Sequence, residues 1–196
     1  MSDVKLQYNI YDNLIGISSG TGQAGIWFYG EDERSLLINS QGYNISATGS
    51  TESCGIRSQG GKMQNCIGKS LAGNGIISNS STLENCIGIA GGTTAGSPLS
   101  FYSFRSYIDN YYNNCSSQVG SNNSYPLIIE GTRSFDNFDQ NPLQTKFENC
   151  SFSSINNNAI DFDSSSITRF LRFAGARTST PDPCFKISIT SSGSWL

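Results

Sequence analysis

Three acids in the second half of the chain, Glu130, Asp161 and Asp163, are of a type and spacing that could carry a reaction. Carboxyl groups about 5 Å apart suit a retaining glycosidase, and a wider gap suits an inverting one. The same oxygens could hold Ca²⁺, or be three solvated surface acids. The chain has no histidine. That excludes a Ser-His-Asp triad, a His-ligated zinc and a His general base, and leaves carboxylates, Tyr, Lys and Arg for any catalysis. A second group is aromatic. Phe101, Tyr102, Phe104, Tyr107, Tyr111 and Tyr112 lie close to Arg105 and Asp109, and Phe135 and Asp136 follow. Rings stack on the faces of sugars and charged groups bond sugar hydroxyls. Tyr102, Arg105, Tyr107, Asp109, Tyr111, Phe135 and Asp136 are therefore the candidate ligand contacts. The alternative is that the rings pack on one another or on a neighbouring subunit, and the two readings are compatible.

A framework must hold these residues, and composition narrows it. The chain has 196 residues, consistent with one domain. Only 14% are charged, the net charge is −3 and aromatics reach 11%. Disorder goes with high net charge and few aromatics, so many short strands joined by polar turns is the better reading. A sequence pI near 4.8 and the lack of any basic stripe speak against nucleic acid or an anionic membrane as partner. No apolar run is long enough to span a bilayer, and no signal peptide is expected. Six cysteines without a secretory signal read as thiols, not as a disulfide framework. No cofactor is implied, and no metal site is assigned. Asn-x-Ser matches such as Asn44-Ile45-Ser46 are chance in so Ser/Asn-rich a chain. Gly20-Thr21-Gly22-Gln23-Ala24-Gly25 precedes a strand, so it lacks the helix that a dinucleotide fingerprint needs.

The framework shows as a repeat. Met63-Gln64-Asn65-Cys66-Ile67-Gly68 returns as Leu83-Glu84-Asn85-Cys86-Ile87-Gly88, 20 residues on. A fixed period near 20 marks a solenoid. The phrase is an apolar residue, any residue, Asn, then an apolar residue or Cys. It recurs around Asn13, Asn39, Asn114 and Asn149, and Ile167-Thr168-Arg169-Phe170 is a last copy without its Asn. Asn tolerates the left-handed backbone of a tight corner. Stacked at the strand spacing of about 4.8 Å, its amides would form a buried, hydrogen-bonded ladder. Cys66, Cys86, Cys115 and Cys150 would point inward beside it. A second strand lies between the phrases, at Gly25-Ile26-Trp27-Phe28, Gly55-Ile56-Arg57-Ser58, Gly75-Ile76-Ile77-Ser78, Pro98-Leu99-Ser100-Phe101, Pro126-Leu127-Ile128-Ile129 and Ala159-Ile160-Asp161-Phe162. Each alternates apolar and polar, as a half-buried strand does. The stretch Ile167 to Arg177 is either one helix or a last strand.

The Asn ladder, the inward stack beside it and the coil length resemble the right-handed parallel β-helix of the pectate-lyase type, a fold shared by bacteriophage tailspikes and tail fibres. The resemblance covers about residues 8 to 170. It implies an all-β, right-handed parallel β-helix of about seven coils over 1–170, with 171–196 as a cap or subunit-contact segment. The Lys and Arg signatures of the pectate lyases and the paired Asp motif of the polygalacturonases are absent as contiguous strings, and fold alone does not fix function.

Between the second strand and the next Asn phrase the gap rises to 16 residues at 99→115 and to 23 at 127→150. Two long loops should then leave one corner from consecutive coils, carrying the aromatic candidates. With Leu127 stacked on Ile160, Glu130 and Asp163 would face outward one above the other, with Asp161 beside them. Open ends of a short stack invite association, and a homotrimer as in phage fibres is expected. The resemblance implies a virion protein made in the host cytoplasm. It would contact other virion proteins and a cell-surface glycan, with neither nucleic acid nor membrane insertion. The other class is a polysaccharide lyase or glycoside hydrolase on the same fold.

Overall fold

A computed structural model describes residues 9–30, 35–92, 101–107, 110–119, 124–130, 146–154, 160–163, 174–177 and 185–187. All the regular structure among them is strand, arranged in three parallel sheets. The first sheet holds β1 (Ile10–Asp12), β4 (Leu36–Ile38), β7 (Lys62–Gln64), β10 (Thr82–Glu84), β13 (Tyr111–Asn113) and β16 (Lys146–Glu148). The second holds β2 (Ile15–Ser18), β5 (Gln41–Asn44), β8 (Ile67–Ser70), β11 (Ile87–Ala90), β14 (Ser116–Val119), β17 (Ser151–Ser154) and β19 (Ala174–Arg177). The third holds β3 (Ala24–Tyr29), β6 (Cys54–Gln59), β9 (Asn74–Asn79), β12 (Phe101–Ser106), β15 (Ser124–Glu130), β18 (Ile160–Asp163) and β20 (Phe185–Ile187). From β1 to β18 the strands that pair are three apart in the chain, so the chain visits the sheets in turn and stacks on itself as a solenoid. β19 and β20, within the segment read as a cap or contact, pair onto β17 and β18.

The corner between the first two sheets explains the Asn phrase. Asn13, Asn39, Asn65, Asn85, Asn114 and Asn149 all have φ between 51° and 60°, where Asn is favoured over most side chains. The Asn39 Nδ2 donates to Asp12 Oδ1 at 3.0 Å, Asn65 to Asn39 Oδ1 at 3.1 Å and Asn85 to Asn65 Oδ1 at 3.2 Å. These side chains are exposed. The expectation of buried amides is therefore corrected: Asn holds the corner by its backbone, and its amides run along the outside.

The interior is a set of files, one residue per coil. Leu37, Met63, Leu83, Tyr112 and Phe147 stack along the first sheet, and Ile56, Ile76, Phe104 and Leu127 along the third. Both files are buried. Tyr112 stacks on Phe147 with centroids 4.7 Å apart and meets Phe104 edge-on. Cys66, Cys86, Cys115 and Cys150 form a third buried file beyond the Asn corner, continued by Ser40. All four are free thiols. Their sulfurs donate to carbonyls, for example Cys66 to Gln64 at 3.2 Å and Cys150 to Glu148 at 3.3 Å. Hydrogen bonds to Cys115 and Cys66, with burial behind them, hold the Cys86 thiol well above its ordinary pKa. Burial raises Cys54 to about 12 against the pull of Arg57. Cys86 and Cys54 therefore behave as small neutral hydrophobes.

The second sheet is the part the sequence reading missed, and its core side is made by glycine. Gly16, Gly42, Gly68 and Gly88 stand in register. A methyl group on Gly68 would lie 2.4 Å from the Gly75 carbonyl oxygen, and one on Gly42 only 2.2 Å from that of Gly55. At these glycines the second and third sheets thus approach backbone to backbone. The signal was present: each of these glycines falls three residues after a corner Asn.

The inserted corner is also corrected. Phe104, not Leu99, stands in register with Ile76. Residues 101–106 are therefore strand β12, not a loop, and Tyr111 and Tyr112 belong to β13. The extra length of this coil falls before β12, between the second and third sheets, whereas residues 131–145 connect the third sheet to the first. The two insertions leave different corners. Residues 108–109 and 131–145, Leu99 and Ile167–Phe170 lie outside the described residues.

Candidate functional site

The outer face of the third sheet carries the aromatic and cationic groups. Alternation in β3 puts Ile26 and Phe28 inward, so Trp27 must point out, and it is 66% exposed. In register above it come Arg57, Ile77 and Arg105. The Arg57 guanidinium lies 5.5 Å from the centre of the Trp27 ring, within cation–π range. Arg57 Nη2 also binds Glu52 Oε2 at 2.5 Å and the Glu52 carbonyl at 3.1 Å. Arg105 reaches the same loop from the other side, donating to the Thr51 carbonyl at 2.6 Å and to Glu52 Oε1 at 3.2 Å. Glu52 is therefore gripped by two arginines, which bridge over the buried Ile77. The guanidinium of Arg105 also lies 5.3 Å from the centre of the Tyr107 ring. One step along, Tyr102 stacks on Tyr125 at 5.6 Å, and its backbone N–H donates to Asn74 Oδ1 at 2.9 Å.

Loop 45–53 is what fixes this surface. Its end is closed by the Ser53 N–H donating to the Ser50 carbonyl, and Gly49 sits so close to the Phe101 ring that a methyl there would lie 2.6 Å from it. The arginines are thus positioned by strand register at their stems and by Glu52 and Thr51 at their heads. The result is a ridge of flat rings with fixed cations between them. It can stack apolar faces and donate hydrogen bonds, and its acid Glu52 is held by the two arginines.

Of the expected contact residues, Tyr102, Arg105 and Tyr107 come together here. Tyr111 does not: it lies on the first sheet, where its hydroxyl donates to Glu148 Oε2 at 2.5 Å. That bond holds the Tyr111 phenol protonated, up to about 12. Asp109, Phe135 and Asp136 lie outside the described residues. Trp27, Arg57 and Tyr125 were missed, although the Ile26-Trp27-Phe28 alternation marked Trp27 as outward. For the acids, the backbone register is defined: Glu130 is opposite Asp163 and Ile128 opposite Asp161. Among the described residues no three His, Cys, Asp or Glu side chains converge to hold a metal ion. No protein-family model matches the chain, and no curated protein matches it.

Proposed function

We propose that the chain is a right-handed parallel β-helix of about seven coils, of the bacteriophage tailspike or tail-fibre type, and that it binds a surface glycan through the outer face of its third sheet. The observation that carries the binding reading is the exposed Trp27 ring with Arg57 beside it, in line with Arg105 and Tyr107. Sugars are bound by a flat apolar face for the ring and fixed donors for the hydroxyls, and this ridge supplies both. A virion location, other virion proteins as neighbours and assembly as a homotrimer are parts of the same proposal, drawn from the resemblance of the repeat. Trp27→Ala should lower binding to host-cell envelope polysaccharide at least tenfold in a glycan array or calorimetric titration, with the melting temperature unchanged. Undiminished binding would remove the ridge from consideration.

The register of Glu130 with Asp163 favours a second reading, a glycoside hydrolase or lyase on the same fold. Loss of polysaccharide viscosity, abolished by Glu130→Gln or Asp163→Asn, is its signature. Cleavage that survives both changes would place the chemistry elsewhere.

A further inference from the structure

The outer face of the second sheet carries apolar side chains on four successive coils. In β2, β5, β8 and β11 the position against the third sheet is Gly16, Gly42, Gly68 or Gly88, and the large apolar side chains of these four strands point out. Coil by coil the outward residues are Ile15 and Ile17, then Gln41, Tyr43 and Ile45, then Ile67, Lys69 and Leu71, then Ile87 and Ile89. Ile45 and Leu71 extend the sheet by one residue, their N–H groups bonding Ser18 and Asn44 carbonyls at 2.8 Å. Ile15 is 69% exposed and Ile17 64%, and Ile45 and Leu71 are exposed as well. The outer face of the first sheet is mixed: Ile10, Leu36 and Ile38 lie on its first two coils, and further along Lys62 pairs with Glu84 at 2.8 Å and Gln64 with Glu84 at 2.6 Å.

We infer that this face is a self-association surface, covered in solution by a second copy of the same chain. Four strands at about 4.8 Å and three outward positions at about 6.6 Å give a flat patch of roughly 400 Å². That is already the size of the largest apolar patch on ordinary monomers, about 300–600 Å². Interlocking side chains raise the buried area toward the roughly 800 Å² per partner of a stable complex. Two features favour a copy over another protein. Lys69 is the one charged side chain among these outward positions, so there is little for a charge-complementary partner to read. The isoleucine rows also repeat at the strand spacing, and a copy carries the same corrugation. The inference rests on the preceding proposal only in taking the protein to assemble, and glycan binding is read out separately.

Ile89→Glu places a carboxylate beside Lys69 on the neighbouring strand, an opposite-charge pair that the isolated fold tolerates. Combined with Ile17→Glu it should dissolve the contact. In light scattering at micromolar concentration the wild type should run at a whole multiple of 21.1 kDa, and the double variant at the single-chain mass with its melting transition intact. Thr82→Glu, a matched charge change on the first sheet, should leave the multimer whole. Ile15→Glu, at the most exposed position, serves as the second variant should the double variant fail to fold. A monomeric wild type, or a multimer that neither second-sheet variant weakens, overturns the inference. A monomer that floats with phosphatidylcholine vesicles reassigns the face to a lipid surface. Loss of the multimer with glycan binding retained, or the reverse, separates this contact from the ridge.

Discussion

At the residue scale the corner asparagines separate two roles that sequence alone merges. The repeat around Asn65 and Asn85 was legible because a left-handed corner accepts few residues. It could not show whether the amide or the backbone matters. The structure puts the amides outside, so the backbone carries most of the effect. Asn85→Leu should cost about 1–2 kcal/mol, the penalty of a branched side chain at φ 53°, while Asn85→Gly should be nearly neutral. Urea unfolding of the two variants decides it, and equal losses would mean that the amide ladder matters more. A second residue-scale effect is pH-dependent. Tyr111 has a folded pKa raised from 10.0 to about 12, because its bond to Glu148 needs the phenolic proton. Stability from this bond is therefore complete below about pH 10 and lost as pH rises toward 12. Screening by solvent keeps it near 0.5 kcal/mol or less. Burial also holds Tyr112 protonated, which leaves a background alkaline loss. Tyr111→Phe should flatten only part of the decline in unfolding midpoint, and an unchanged profile would show that the bond is not formed in solution.

At the element scale the strands with apolar inward files were readable and the glycine sheet was not. Ile56 and Ile76, or Met63 and Leu83, announce their inward side by hydrophobicity. A strand whose inward residue is Gly68 or Gly88 gives no such signal, and its outward isoleucines invert the usual pattern. β12 misled for another reason. Phe101, Ser103 and Phe104 are all buried, so alternation breaks within the strand and Pro98-Leu99-Ser100-Phe101 imitated it. That shifted the extra length to the wrong corner and made a loop of residues 101–107. The candidate ridge was partly legible as a result: Tyr102, Arg105 and Tyr107 from their types, Trp27 from the alternation around it, and Arg57 only from register. The glycine sheet makes a sharp prediction. Gly68→Ala drives a methyl to 2.4 Å from a backbone oxygen that cannot move away, and should cost about 3 kcal/mol or more, at or beyond the upper end of overpacking penalties. Gly22→Ala has φ 73° but its nearest neighbour is 3.9 Å away, so about 1 kcal/mol is expected. Thermal melts of the pair test the close approach of the sheets, and a mild Gly68→Ala would refute it.

At the scale of the whole molecule the solenoid has no single centre. Each coil rests on its two neighbours, and stability is a sum over such contacts. Among the described residues the first coil has a neighbouring coil on one side. Tyr11 belongs to the same inward file as Leu37, yet it is 43% exposed where Leu37 is 1%. Leu14 is also exposed, although Ser40 directly above it in its file is fully buried. The strands β1, β2 and β3 are also the outermost members of their sheets at this end. Local opening should therefore come here before it reaches the middle coils, since among the described residues it breaks contacts on one side only. The middle coils, from β6 to β11, have buried files below and above, and the backbone contact of Gly55 and Gly75 with the second sheet. Amide hydrogen exchange should accordingly be fastest for Ile10–Ser18 and slowest for Ile56, Ile76 and Leu83. The gradient should persist in the double variant that separates the copies, because it arises from stacking along the solenoid and not from the lateral face. Uniform protection from β1 to β11 would mean that the coils open together, and that the protein unfolds as one cooperative unit instead of from its end.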